Sequence, residues 1–480
     1  MKFWLSFFHP RAPIFLVYML QQVEYRVAGF QKWVDVLTNT NHPLTSVMKR
    51  QKLVPTTKAK LLVGLGYGVI TLWVLLFTVW LLAGGTPMIL FVRVALGLLA
   101  LPVSLILTYF LVVGLAGLVY TNTVERKRLE YCREYLQTYS GKVIVVAGSY
   151  GKTSMKELLL ATLSAHCNVA ATSGNGNTPS AHAAFIRSLE GNEDYLIFEL
   201  GEGKPGDVRR FAEALRPDYA VVTGLAPNHL DQYDSIDALA QDMLSLRQYV
   251  PANALFFAGD STILRAYVAS SDSCYDEQGA LSWQVQQVAV STEGTHFRLV
   301  KGREKLDMKS HLLGRHQIAP IAFAVAFALY CGVPHQKAAR AIETVFPYAH
   351  RMQPSTLSGA ILIDDTYNGN LEGMLAGLRL LQDLKAERKI YITPGLVDQG
   401  AETQRVHRQI AEQIAATRPD WVVLMQNSAT DIITSELQAL GYGGKVTYQS
   451  DALRFYQNLS QFVRAGDIVM MQNDWTDNYH

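Results

Sequence analysis

Lys142-Val143-Ile144-Val145-Val146-Ala147 runs straight into Gly148-Ser149-Tyr150-Gly151-Lys152-Thr153-Ser154, and the fold of the chain turns on this stretch. An apolar run of this length that ends in a glycine turn reads as a buried strand, and Met155 to Ala165 reads as the helix that follows. Glycines let backbone N–H groups curl inward around an anion, and the helix aims the positive end of its dipole at it. A Lys and a hydroxyl residue add charge and a magnesium ligand. The turn therefore reads as a site for nucleotide phosphates, with Gly148, Ser149, Gly151, Lys152, Thr153 and Ser154 as its contacts. The strict Walker spacing is not met, because the position five before Gly151 is Val146. A bare G-K-T arises often by chance, so the strand before it and the helix after it carry the reading.

Downstream the same texture of strand, turn and helix continues. Asp194-Tyr195-Leu196-Ile197-Phe198-Glu199-Leu200-Gly201 reads as a strand ending in a carboxylate, followed by Pro205-Gly206-Asp207. Asp218 to Gly224 reads as another strand and leads to Asn228-His229-Leu230-Asp231. ATP brings several negative charges, which a magnesium ion held by oxygen ligands offsets. Gly314-Arg315-His316-Gln317 precedes an apolar helix, Ile318 to Tyr330. Arg351 then precedes Ile361-Leu362-Ile363-Asp364-Asp365-Thr366-Tyr367-Asn368-Gly369-Asn370. The runs Lys389–Gly395, Trp421–Met425 and Asp467–Met471 read as strands interleaved with helices, which suits a small doubly wound domain.

Together these segments resemble the Mur ligase family. The glycine turn is similar to its G-T/S-x-G-K-T/S loop, and Glu199 with Pro205-Gly206-Asp207 to its E-x-G…P-G-[ED] segment. Asn228 to Asp231 is similar to its histidine turn, and Asp364 to Asn370 to the D-D-S-Y-N-A-N-P signature of the D-alanyl-D-alanine-adding members. The resemblance covers Lys142 to the C-terminus. It implies an α/β fold: a P-loop-type Mur ligase central domain and a smaller doubly wound C-terminal domain. It also implies an ATP-dependent amide ligase that activates a carboxylate as an acyl phosphate for attack by an amino acid or peptide amine. By the same resemblance Lys152, Glu199 and His229 are the catalytic set, and Thr153, Glu199 and His229 are the magnesium ligands. Arg351, Asp365 and Asn368 reach the nucleotide from the C-terminal domain, Asp365 at the ribose and Arg351 at the phosphates. Ser173-Gly174-Asn175-Gly176-Asn177-Thr178-Pro179 is similar to the loop that positions the acceptor, and it is also what any loop looks like.

In front of these domains stand two long uncharged stretches, Leu61–Val92 and Val94–Val124. A helix needs about 20 apolar residues to cross a bilayer core, so both are long enough, with Gly84-Gly85-Thr86-Pro87 as the turn. Lys49, Arg50, Lys52, Lys58 and Lys60 precede the pair, and Arg126, Lys127, Arg128 and Arg133 follow it. The tip region holds only Arg93, so both flanks are expected in the cytoplasm. Phe3 to Phe8 is interrupted by His9, Pro10, Arg11 and Pro13 with no small-residue cleavage site after it, which argues against a cleaved signal peptide. From Leu16 the apolar positions Met19, Leu20, Val23, Val27, Phe30, Val34 and Leu37 recur at helical spacing, which predicts one amphipathic helix. It either lies in the membrane interface or packs on the cytosolic part. The expected organisation is a juxtamembrane segment at 1–57, a transmembrane hairpin at 58–124, a linker at 125–140, a central ATP-binding domain at 141–347 and a C-terminal domain at 348–480. The hairpin stands where the family carries its UDP-binding domain.

Composition sets bounds around this reading. The chain has 480 residues, 49% apolar and only 18% charged, and a net charge of +2, which gives no electrostatic reason to expect nucleic acid. Four scattered cysteines show no C-x-x-C spacing and speak against a disulfide scaffold or zinc ribbon. The expected partners are ATP and Mg2+, a UDP- or lipid-linked cell-wall precursor, an amino acid or peptide, and the lipid bilayer. The expected place is the cytoplasmic (inner) membrane, crossed more than once, with peptidoglycan synthesis as the process. Some positions depart from the family. The lysine carbamylated in several members falls at Met243, the asparagines near adenine fall at Gln317 and Pro320, and Leu371 replaces a proline. Those departures suggest a second reading, a non-catalytic nucleotide-binding relative that serves as a membrane scaffold for envelope enzymes.

Overall fold

The structure is a computed structural model that describes residues 1–23, 25–48, 52–226, 233, 235–367, 369–396, 399, 402–427 and 429–473. His229 and Asn368 lie outside the described residues, as do Asn228, Leu230 and Asp231. The chain divides into two units, Met1–Val124 and Glu125–Asp474.

Two sheets organise the second unit. The first contains β1 (Lys142–Ala147), β2 (Val169–Ala171), β3 (Tyr195–Glu199), β4 (Tyr219–Val222), β5 (Leu255–Ala258), β6 (Ser273–Asp276), β7 (Gly279–Ala280), β8 (Trp283–Ser291), β9 (Gly294–Lys301) and β10 (Glu304–Ser310). Their spatial order is β10-β9-β8-β7-β6-β5-β4-β1-β3-β2. From β2 to β6 neighbouring strands are parallel, and from β6 to β10 antiparallel. Val143 to Ala147 and Leu196 to Glu199 are buried, as a parallel sheet covered by helices on both faces requires. β1 lies between β3 and β4, so the order of strands reverses beside it, and the crevice beyond the carboxyl ends of strands at such a point is where ligands bind. The apolar helix Ile318–Tyr330 packs against the helix Lys152–Ser164, which starts at the glycine turn rather than three residues later. Residues 125–140, read from sequence as a linker, carry the helix Arg126–Gln137, whose Leu129, Cys132 and Leu136 enter the core.

The second sheet contains β11 (Gln353–Leu357), β12 (Ala360–Asp365), β13 (Arg388–Thr393), β14 (Trp421–Met425), β15 (Lys445–Gln449) and β16 (Asp467–Gln472) in the order β11-β12-β16-β13-β14-β15. Only the β11–β12 pair is antiparallel. This is the smaller doubly wound domain that the sequence implied.

The first unit holds the helices Ala12–Gln22, Val27–Asn39, Thr57–Leu82 and Pro87–Val119. The last two are long and apolar enough to cross a membrane, and in their most apolar windows only 11% and 22% of residues are buried within the molecule. The second begins at Pro87 and so takes Arg93 into the helix, where its guanidinium donates to the Trp80 carbonyl at 3.0 Å and to that of Gly84. The single amphipathic helix expected from Leu16 to Leu37 is instead two helices, broken before Val27. Tyr25 takes a left-handed φ of 59°, and its N–H donates to Leu20. The apolar spacing carries on through the break, so periodicity alone does not reveal it. Leu16, Met19, Phe30 and Leu37 share one buried cluster with Leu62, Leu101, Leu105 and Tyr109 of the two long helices.

Candidate nucleotide site

The turn after β1 has the geometry that an anion cradle needs. Gly148 and Gly151 have φ of 138° and 75°, which side chains with a Cβ rarely adopt. At Gly148 a Cβ would also lie 2.4 Å from Thr223 Oγ1. The Ser149 N–H donates to the Gly224 carbonyl at 2.8 Å, which fastens the turn to the segment after β4. Gly151 caps the helix Lys152–Ser164, so its first N–H groups and its dipole face the turn.

The register Val146↔Glu199 between β1 and β3 sets the carboxylate beside this turn, at the same sheet end. Thr153 Oγ1 donates to Glu199 Oε2 at 2.9 Å, and Asn177 Nδ2 donates to Oε1 at 3.4 Å. Glu199 is 2% exposed. Burial raises its pKa, against the Thr153 hydrogen bond and the nearby Lys152 and Lys156 ammonium groups. A hydroxyl and a buried carboxylate within hydrogen-bond distance are hard oxygen donors of the kind magnesium takes, so Thr153 and Glu199 fit that ion. Met243 is fully buried in the core.

Lys152 does not reach into open solvent. Its ammonium donates to both oxygens of Glu202, each at 2.8 Å, and to the Gly148 carbonyl. One helical turn on, Lys156 is completely buried and donates to the carbonyls of Thr172, at 2.6 Å, and Gly174. It lies 3.1 Å from Glu157 and 4.0 Å from Glu199. His182 is also fully buried. Its Nε2–H donates to the Glu199 carbonyl at 2.8 Å, and burial lowers its pKa to about 4, so it is neutral.

The second sheet contributes from the other side of the unit. The Tyr348 hydroxyl donates to Glu157, and burial, followed by Glu157, raises its pKa. Arg351 stacks on the Tyr367 ring, 4.7 Å from its centroid. Asp365 accepts from Gln472 Nε2 at 2.8 Å and from the Met352 N–H at 3.2 Å, and burial pushes its pKa up to about 7. The neighbouring Asp364 pairs with His350 Nδ1 at 2.8 Å and with the Thr366 hydroxyl at 2.7 Å. Arg315 bridges Glu277 beyond β6 and Asp383 after β12, each at 3.3 Å. A cavity of about 600 Å³ lies elsewhere, beside the edge strand β2, lined by Leu160, Val169, Phe185 and Leu189 among others.

The structure thus brings Gly148, Ser149, Gly151, Lys152, Thr153, Ser154 and Glu199 together. It places Arg351 and Asp365 on the second sheet's side, with Asp365 engaged inside that domain. Sequence reasoning passed over Glu202, Lys156, His182 and Tyr348. Only Lys156 carried a signal, its spacing of four from Lys152 on one helix face.

Residues 146–328 match the Mur ligase middle domain, and residues 350–472 the Mur ligase glutamate ligase domain. The chain carries both Mur ligase domains. Among similar proteins, the UDP-N-acetylmuramoyl-tripeptide--D-alanyl-D-alanine ligase of Bacillus subtilis is 24% identical over 346 residues, 72% of this chain and 75% of that one. Its Escherichia coli counterpart is 26% identical, over 62% of this chain and 68% of the relative. Among solved structures, the MurF ligase of Thermotoga maritima in complex with ADP aligns with a TM-score of 0.64 at 19% identity, over 74% of this chain and 82% of that one. The Mur ligase fold expected from the sequence is the fold found. The enzyme class it implied, an ATP-dependent acid–amino-acid ligase, is the class of these relatives.

Proposed function

We propose that this Mur ligase is membrane-anchored. In this reading it uses ATP to activate a carboxylate on a cell-wall precursor, then joins it to the amine of an amino acid or peptide. The observation that carries the proposal is the hydrogen-bonded set at the carboxyl ends of β1 and β3. There a glycine turn, an ammonium, a hydroxyl and a buried carboxylate converge. Lys152 and the helix N-terminus would hold the phosphates, and Thr153 and Glu199, with His229, would hold magnesium. Magnesium would supply charge neutralisation while the γ-phosphoryl group moves to the acceptor carboxylate. Arg351, Asp365 and Asn368 would complete the nucleotide contacts from residues 348–480, and 141–347 would form the central ATP-binding domain. Two lobes around one site suit an acyl phosphate, which must be kept from water until the amine attacks.

The two long apolar helices support anchoring in the inner membrane, because their outward residues find no cover within the molecule. Anchoring of the ligase at the cytoplasmic leaflet would suit a lipid-linked acceptor, which lies in the same surface. Supplying lipid-linked and UDP-linked acceptors to the detergent-purified protein decides this point, and preference for the UDP form ends it. Phosphate release from ATP with acceptor and D-alanyl-D-alanine or amino acids, compared with Lys152→Ala, tests the ligase itself. Equal rates in the two would favour the scaffold reading, which rests on the residue types at Met243, Gln317 and Pro320.

A further inference from the structure

Lys152 has three N–H bonds, and the protein uses all of them: two on the oxygens of Glu202 and one on the Gly148 carbonyl. The two side chains are 11% and 5% exposed, so water replaces neither partner. Glu202 lies in the loop between β3 and the helix Asp207–Leu215, and it is close enough to Glu199 to raise that group's pKa. When a polyphosphate enters the turn, it claims donors that Glu202 now holds. Glu202 is then a buried carboxylate, short of its counter-charge, beside a second carboxylate and an incoming polyanion. The conflict shrinks when the nucleotide arrives with a divalent cation, since the cation removes two negative charges from the ligand. Resting on the reading of this turn as a nucleotide site, we propose that Glu202 determines which form of the nucleotide is accepted, the cation complex over the bare polyphosphate.

Calorimetric titration of the full-length protein in detergent with ADP, once with Mg2+ and once with EDTA, tests this on the native chain and Glu202→Gln. The native protein binds ADP about thirtyfold or more tighter with Mg2+ than with EDTA, the scale expected for two unit charges near a partly screened carboxylate. Glu202→Gln binds metal-free ADP about tenfold tighter than native, with Mg2+-ADP affinity within about threefold, so the preference for the complex narrows about tenfold and what remains is the share owed to Thr153 and Glu199. Glu202→Asp, which keeps the charge, retains the preference and guards against loss of folding in the amide variant. An unchanged ratio in Glu202→Gln overturns the proposal. Weaker binding in both conditions also overturns it, and assigns Glu202 to orienting Lys152. Failure of the native protein to bind ADP in either condition removes the nucleotide reading itself.

Discussion

A lysine and a carboxylate buried together behave as one unit, and removing one member exposes the cost of the other. Lys152→Ala should therefore do two separable things. It should abolish phosphate release through loss of the phosphate contact. It should also destabilise the second unit by about 3 kcal/mol, because Glu202 is left buried and unpaired. The double variant Lys152→Ala/Glu202→Gln should regain most of that stability and none of the activity. Denaturant melts beside phosphate release check this, and equal stability of the single and double variants would contradict it. His182 gives the residue scale a pH dependence. Its folded pKa of about 4 is below the ordinary value of 6.5, so the unfolded chain binds the extra proton between those values. The stability contribution is complete above pH 6.5 and is lost as the pH falls toward 4. His182→Gln should flatten this dependence, and denaturant midpoints between pH 4.5 and 7.5 measure it. A variant whose acid sensitivity equals that of the native chain would refute the assignment.

Among the elements, the helix Lys152–Ser164 joins more parts than its sequence announces. Through Lys156 it holds the carbonyls of Thr172 and Gly174, and through Glu157 it accepts the Tyr348 hydroxyl at the entrance to the second sheet. Tyr348→Phe removes that hydroxyl from a side chain that is 40% exposed, so folding should be untouched. Turnover should fall several-fold while ADP affinity holds, and an unaltered kcat would count against a link between the lobes. The helix Leu371–Asp383 offers a simpler case. Asn370 caps it by accepting the Gly373 N–H at 2.9 Å, and Asn370→Ala should cost about 1 kcal/mol in denaturant melts. The elements that carry these groups were mostly legible. β1, β14 and the helix Ile318–Tyr330 begin and end where their apolar runs do, because burial on all sides leaves an uninterrupted pattern. The meander β6–β10 was not singled out, since charged and apolar residues mix along strands such as Glu304–Ser310. The Val23–Arg26 break was hidden for the opposite reason, an apolar spacing that continues through it. At the site, Lys152 and Thr153 stood out because a backbone motif surrounds them. Glu202 did not, because only the folded chain brings it to Lys152.

Across the whole molecule, charge is divided between the two units in a way the total of +2 conceals. Residues 1–124 hold ten Lys and Arg against two Asp and Glu, a net of +8, which leaves −6 for residues 125–480. The cationic unit is also the one whose long helices leave their apolar residues uncovered, while the anionic unit buries its own core of Val143 to Ala147, Leu196 to Phe198 and Ile318 to Ala328. Each unit therefore has the means to stay where the other does not. The first suits an apolar slab with an anionic surface, where each Lys or Arg close to the headgroups adds about 1 kcal/mol. The second suits water. Deleting residues 1–124 should yield a protein that stays in the supernatant after membrane sedimentation and still binds Mg2+-ADP within about threefold of the full chain, because no group of the nucleotide site is lost. The full chain should resist extraction by alkaline carbonate, which strips proteins held by charge alone. On the proposed anchoring, turnover on a lipid-linked acceptor should fall far more on deletion than turnover on a soluble one, because an anchor would confine enzyme and acceptor to one surface. Equal losses on both acceptors would mean that the first unit serves the catalytic unit in some way other than by location.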